Sequence, residues 1–189
     1  GQTAGTAAVA LSSGAVSSWT RASASRSATH DVALMTARVT TAIPSGATVT
    51  ITTSGNSTNR AVAIVASISN LSSGTPNATS GDDAAGDAYN VNSGTNGNTI
   101  SLTAPTDAAT TVPYTLVISA FTVGLPTSPA SQAAGQTQVA SVITDGGSSD
   151  RGVIMAYKIA STTGIQSMTT NYAATGGNAG VVMALPIET

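Results

Sequence analysis

Few side chains in this 189-residue sequence have the chemistry of a catalyst. The only histidine, His30, is followed at once by Asp31. A nucleophile–histidine–carboxylate triad needs the carboxylate to reach the imidazole from a separate, converging position. Neighbours on an extended chain point to opposite faces, so His30 and Asp31 do not make that contact, and no nucleophile motif accompanies them. We read His30 as an exposed residue at the start of a strand. Paired acids for glycoside-type chemistry must converge on a cleft, whereas four of the eight acids, Asp82, Asp83, Asp87 and Asp107, fall in predicted loops. The stretch "DDAAGD" offers carboxylates to a hard cation such as Ca²⁺ through Asp82, Asp83 and Asp87, with a glycine that lets the loop curl. Its spacing is not that of an EF-hand loop, and the competing reading is a solvated acidic turn. The same alternatives hold for Asp145 and Asp150 in "DGGSSD". Lys158, the only lysine, lies in an apolar strand, where it is expected to be an exposed charge on an outer strand. No enzymatic activity and no organic cofactor are expected.

Binding chemistry is also sparse. Aromatic residues make up 3% of the chain, a thin supply for stacking on sugars. Phe121 and Tyr157 fall in alternating strands and read as core. Trp19 is expected to pack over one end of that core. Tyr89, in a long polar stretch, is the best candidate for contact with a ligand or partner. The sequons at Asn56, Asn70 and Asn77 matter only in a glycosylating host. Six basic residues scattered along the chain give no nucleic-acid footprint. The longest apolar runs, "AVAIVA" and "GVVMAL", are too short to span a bilayer as a helix. No charged segment followed by an apolar run opens the chain, so no signal peptide is expected there.

What must position any of these groups is a β scaffold. Hydrophobic residues are 41% of the chain, rich in Ala with Val and Ile next, while charged residues are 7% against about a quarter in an average domain. Alternation of apolar and polar residues, the pattern of half-buried strands, runs through 32–39, 48–52, 61–69, 99–103, 114–123, 137–144, 152–159 and 179–187, with a weaker candidate in "GTAAVAL". Ala33, Met35, Ala37 and Val39 are predicted to share the inward face of one strand. Val153, Met155, Tyr157 and Ile159 are predicted to share that of another. Between the runs lie Gly-, Pro-, Asn- and Asp-rich turns such as "IPSGA", "LPTSPAS" and "TGGNAG". No helical stripe persists over three turns. The pattern predicts a single all-β domain over 1–189, an antiparallel β-sandwich or jelly roll.

The chain also repeats itself. "HDVALMTARVTTA" (30–42) and "DRGVIMAYKIAST" (150–162) match Met35 to Met155, Val39 to Ile159 and Arg38 to Lys158. Each is followed by a turn, a Thr-rich strand, a Gly/Asn loop and an apolar strand. We read half-units at about 15–71 and 137–187 as a structural pseudo-repeat, joined through a polar surface excursion at about 72–97.

Soluble monomers guard sheet edges with Lys, inward charge or Pro. This chain has one Lys and a formal net charge of −2, a composition suited to a subunit that docks against copies of itself. The segments "SSWTRAS", "IPSGATVTITT", "AVAIVASISNL", "MAYKIAST" and "GVVMALPIE" resemble jelly-roll modules in structural proteins of tailed bacteriophages, over most of 15–187. The resemblance implies a non-enzymatic virion component, such as a capsid-decoration or tail-associated protein, whose partners are copies of itself or other virion proteins. It carries over no functional residue. The alternative function is an extracellular adhesin or carbohydrate-binding module using the 72–97 stretch, with a glycan as its partner. Either role implies a virion or extracellular surface location.

Overall fold

The computed structural model describes residues 7–16, 19–26, 31–53, 62–69, 71, 78–80, 98–103, 109–110, 114–124, 131–144, 151–172 and 178–187. Among these there is no helix. Fourteen strands follow in order: β1 (Ala7–Leu11), β2 (Thr20–Arg26), β3 (Asp31–Thr36), β4 (Val49–Thr53), β5 (Ala78–Ser80), β6 (Asn98–Thr103), β7 (Ala109–Thr110), β8 (Thr115–Gly124), β9 (Ser131–Gln132), β10 (Thr137–Ile143), β11 (Arg151–Ala160), β12 (Gly164–Ile165), β13 (Ser167–Tyr172) and β14 (Asn178–Pro186). Every ladder is antiparallel. The all-β antiparallel class follows from the abundance of Val, Ile and Thr, whose branching at Cβ fits a pleated surface.

A five-stranded sheet, ordered β10-β11-β8-β14-β5, holds the core. Its centre is β8, buried along its whole length. The sequence there, "TLVISAFTVG", is a near-continuous apolar run rather than a strict alternation, as expected for a strand covered on both faces. Val117, Phe121 and Val123 face one way, into a cluster with Ile154, Ala156, Ala160, Val182, Ala184 and Met168 of β13. Leu116, Ile118 and Ala120 face the other, with Val181, Met183 and Leu185 and with Val32 and Leu34 of β3. The β2-β3 ribbon therefore covers one face, and the β6-β13-β9 sheet reaches the other through Met168. The remaining ladders are β1-β4 and β12-β7.

Three sequence expectations change here. The inward faces of β3 and β11 are offset by one residue: Val32 and Leu34, and Ile154 and Ala156, are buried, while Val39 and Ile159 are exposed. Met155 and Tyr157 still pack against a core cluster, since β11 has apolar contacts on both faces. The matched residues Leu34 and Ile154 both go inward, but β3 pairs with β2 while β11 lies between β10 and β8. Second, residues 62–69, expected to be a strand, form none. Third, the 72–97 excursion contains a strand of its own, β5, paired with Val182–Ala184 of β14.

Turns behave as their residues dictate. Gly135, at φ 79°, is third in the turn closed by Gln136 N–H donating to Ala133 C=O at 3.2 Å, a position that favours glycine. Residues 133–136 are thus a tight β-connection between β9 and β10.

Tyr114 is the one described non-glycine residue with positive φ, at 54°. Its carbonyl accepts a hydrogen bond from Ile187 N–H at 3.1 Å, tying the start of β8 to the end of β14. The left-handed conformation costs an L-residue roughly 1–2 kcal/mol. Because the side chain is 52% exposed, little packing is lost on substitution. Tyr114→Gly is expected to leave stability unchanged within about 0.5 kcal/mol, relieved strain offsetting the greater freedom of the unfolded chain. Tyr114→Val, β-branched, is expected to lose about 1–2 kcal/mol. Urea denaturation of the pair checks the order.

Candidate assembly surface

The residues singled out for chemistry do not converge on a described site. Asp82, Asp83, Asp87 and Tyr89 lie outside the described residues, as do His30, Asp107, Asp145, Asp150 and the three sequon asparagines. Among the described residues no three His, Asp or Glu side chains come together in a way that would hold a metal, and no helix is long and apolar enough to cross a membrane. Trp19 is half-buried, and its indole N–H is buried without an acceptor among the described residues.

Lys158 is not the exposed charge of an outer strand. β11 is an interior strand, and Lys158 is half-buried opposite Val117 of β8. It lies on the face of Ile154, Ala156 and Ala160, and its ammonium donates to the Ser167 carbonyl at 2.8 Å. The lysine thus links the five-stranded sheet to β13. Burial disfavours the charged form and holds its pKa below the ordinary 10.5. Between that lowered value and 10.5 the unfolded chain binds more protons than the folded one, so this residue makes stability rise with pH across the window. Below the window the desolvation cost is fully present. The difference in unfolding free energy between wild type and Lys158→Met should therefore shift toward wild type as pH increases toward 10.5. Denaturation of both proteins at pH 7 and near pH 10 tests the sign.

What the structure does assemble is an unguarded sheet edge. Among the described residues β10 is one edge of the five-stranded sheet and pairs only with β11. Its sequence, "TQVASVI", contains no charge and no proline. Val139, Val142 and Ile143 are exposed along it. A register shift between Gln138 and Ala140 places Val139 in a bulge. The first half of the strand is tied back: Gln138 Oε1 accepts from Gln132 Nε2 at 3.2 Å, and Gln132 Oε1 accepts from the buried Thr170 hydroxyl at 2.8 Å. Gln136 Oε1 accepts from Thr169 N–H at 3.1 Å. This amide network anchors the β9–β10 corner to β13 and leaves Ala140–Ile143 as the open part of the edge.

A second apolar set is exposed on residues 62–69, where Val62 and Ile64 are half-buried while Val65 and Ile68 face solvent. The sequence shows both runs as amphipathic strands. It does not show which becomes an edge or which goes without a ladder, since that depends on neighbours far along the chain. The signal that was available is the absence of Lys, Arg, Asp, Glu and Pro from both.

Comparison with protein-family models, with curated proteins and with solved structures gives no match for this chain.

Proposed function

We propose that this protein is a non-enzymatic structural subunit, a layered β-sandwich of jelly-roll kind that assembles with copies of itself on the surface of a virion or an extracellular filament. The observation that carries the reading is the β10 edge: seven uncharged residues with Val139, Val142 and Ile143 in water. Free-standing sheets commonly blunt such an edge with Lys or Pro; an assembling subunit covers it instead. The low charge of the whole chain, 7%, supports this, because it offers little mutual repulsion. So does the likeness of its strand segments to phage structural modules. The sandwich architecture draws support from the facing of β13 against the five-stranded sheet through Met168.

The adhesin or glycan-binding alternative calls for a platform of exposed rings. Among the described residues Tyr114 is exposed, whereas Phe121 and Tyr157 contribute to the core. Sedimentation over a wide concentration range decides between the two. The structural reading expects mass to rise with concentration toward a discrete oligomer or filament. A monomer at every concentration that binds a glycan would overturn it.

A further inference from the structure

Two unsatisfied features of this chain complement each other. Among the described residues β10 is an edge without a second strand, and residues 62–69, "VAIVASIS", are a strand-forming sequence without a ladder. They are close in length, eight residues against seven, and both lack charge and proline, so pairing them meets no like-charge contact and no missing N–H. Val65 is 57% exposed and Ile68 is also open to solvent on one; Val139, Val142 and Ile143 are open on the other.

Among the described residues no ladder joins them within one molecule. Leu71 bridges Ile187, just past the end of β14, which holds the C-terminal end of the run on the β14 side of the sheet. β8 and β11 lie between β14 and β10, a separation of about 14 Å at the usual strand spacing, whereas Ser69 and Leu71 span at most about 7 Å of extended chain. The run thus ends on the side of the sheet away from the β10 edge.

We propose that residues 62–69 of one copy add to the β10 edge of the next, so that the subunits join head to tail. This rests on the assembly reading above and gives it a geometry. A second copy is the occupant because one contact then covers both exposed apolar sets. A two-fold pairing of β10 with itself leaves Val65 and Ile68 in water. A head-to-tail contact is heterologous and generates a ring or a filament according to whether its rotation closes. The strip is short, below the roughly 800 Å² per partner of a standard interface, so a single contact is weak and the assembly builds up with concentration.

The absence of cysteine makes a clean test available. Val65→Cys and Val142→Cys are prepared separately, with Ser45→Cys in an exposed turn as control; all three positions are exposed. The first two are mixed, one of them isotopically labelled, and treated with a short bismaleimide. In the joint the thiols meet at an effective concentration of order millimolar, so a mixed-mass dimer should form on the order of a hundredfold faster than links between Ser45→Cys molecules at about 10 μM. Linking of Val142→Cys alone, as fast as in the mixture, overturns the proposal in favour of two-fold edge pairing. Linking no faster than the control, while unmodified protein sediments as an oligomer, overturns the head-to-tail joint and leaves the assembly reading standing. A wild-type protein that stays monomeric at every concentration up to about millimolar overturns both.

Discussion

Phe121→Ala should lower the unfolding free energy by about 3–5 kcal/mol, the largest loss expected from any single truncation in this core. Phe121 is the only phenylalanine and is 0% exposed at the middle of β8. Its register partners are Ile154 on β11 and Gly180 on β14. One flank is thus a glycine, with no side chain that could swing into the space left by the ring. Above it lie Val117, Val123 and Met168, and of these only the flexible methionine has much freedom to repack. The cavity would stay largely open, and the lost transfer energy and the cavity term add. Against a total stability of about 5–15 kcal/mol for a domain, the variant should unfold at a far lower urea midpoint or fail to accumulate. Phe121→Leu, which keeps most of the volume, separates the cavity from any effect of aromaticity and is expected to cost about 1.5 kcal/mol or less. Ile159→Ala, on the same sheet but 51% exposed, sets the scale for an uncovered position and should cost well under the Phe121→Ala loss. Equal losses at the two sites would mean that β8 is not the packed centre of the fold.

The contrast between Phe121 and Ile159 also marks where sequence reasoning succeeds and where it stops. That 115–124 is a strand was written in its apolar run; that it is the central strand depends on β11 and β14 flanking it, which no local pattern encodes. On β11 the odd positions, Val153 to Ile159, carry the larger side chains and so read as the inward face. The even positions, Gly152, Ile154 and Ala156, are buried instead. Small residues let a second layer approach closely, and bulk alone does not choose the face. β2, "TRASASR", was hidden because Ala and Ser give weak strand propensity and weak alternation. β5 is only three residues inside a polar stretch. Residues 62–69 fail in the opposite sense: Val, Ala and Ile give strong strand character, but a strand exists only where another strand supplies its hydrogen bonds. The neutral composition of the β10 edge was legible; that the run would be an edge was not, because edge status is a property of the sheet. Lys158 follows the same rule, since an interior position for β11 turns an apparently exposed charge into a half-buried one.

If subunits join through the β10 edge as proposed, Val142→Lys should leave the protein a folded monomer. Val142 lies in the open half of β10, is 40% exposed and pairs in register with Val153. In the free subunit a lysine at this position keeps its ammonium in water and lays its methylene stem along the strand, so stability should change by about 0.5 kcal/mol or little more. In the joint, a second strand would cover the same position, and the ammonium must be desolvated or displaced. Even a net penalty of about 3 kcal/mol weakens association on the order of a hundredfold, since each 1.4 kcal/mol is a factor of ten. This is the device by which natural edge strands stay apart. The outcome cannot be ascribed to general charge repulsion: the substitution takes the formal net charge from −2 to −1 (−2 + 1), and a smaller net charge favours association. Val39→Lys makes the same change at an exposed position away from β10 and should leave assembly intact. Sedimentation gives the mass of each variant, and thermal unfolding shows whether the monomer is still folded. If Val142→Lys assembles like wild type while Val39→Lys does not, the β10 edge is not the joint. If Val142→Lys is folded and monomeric while Val39→Lys assembles, the edge is where one subunit accepts the next.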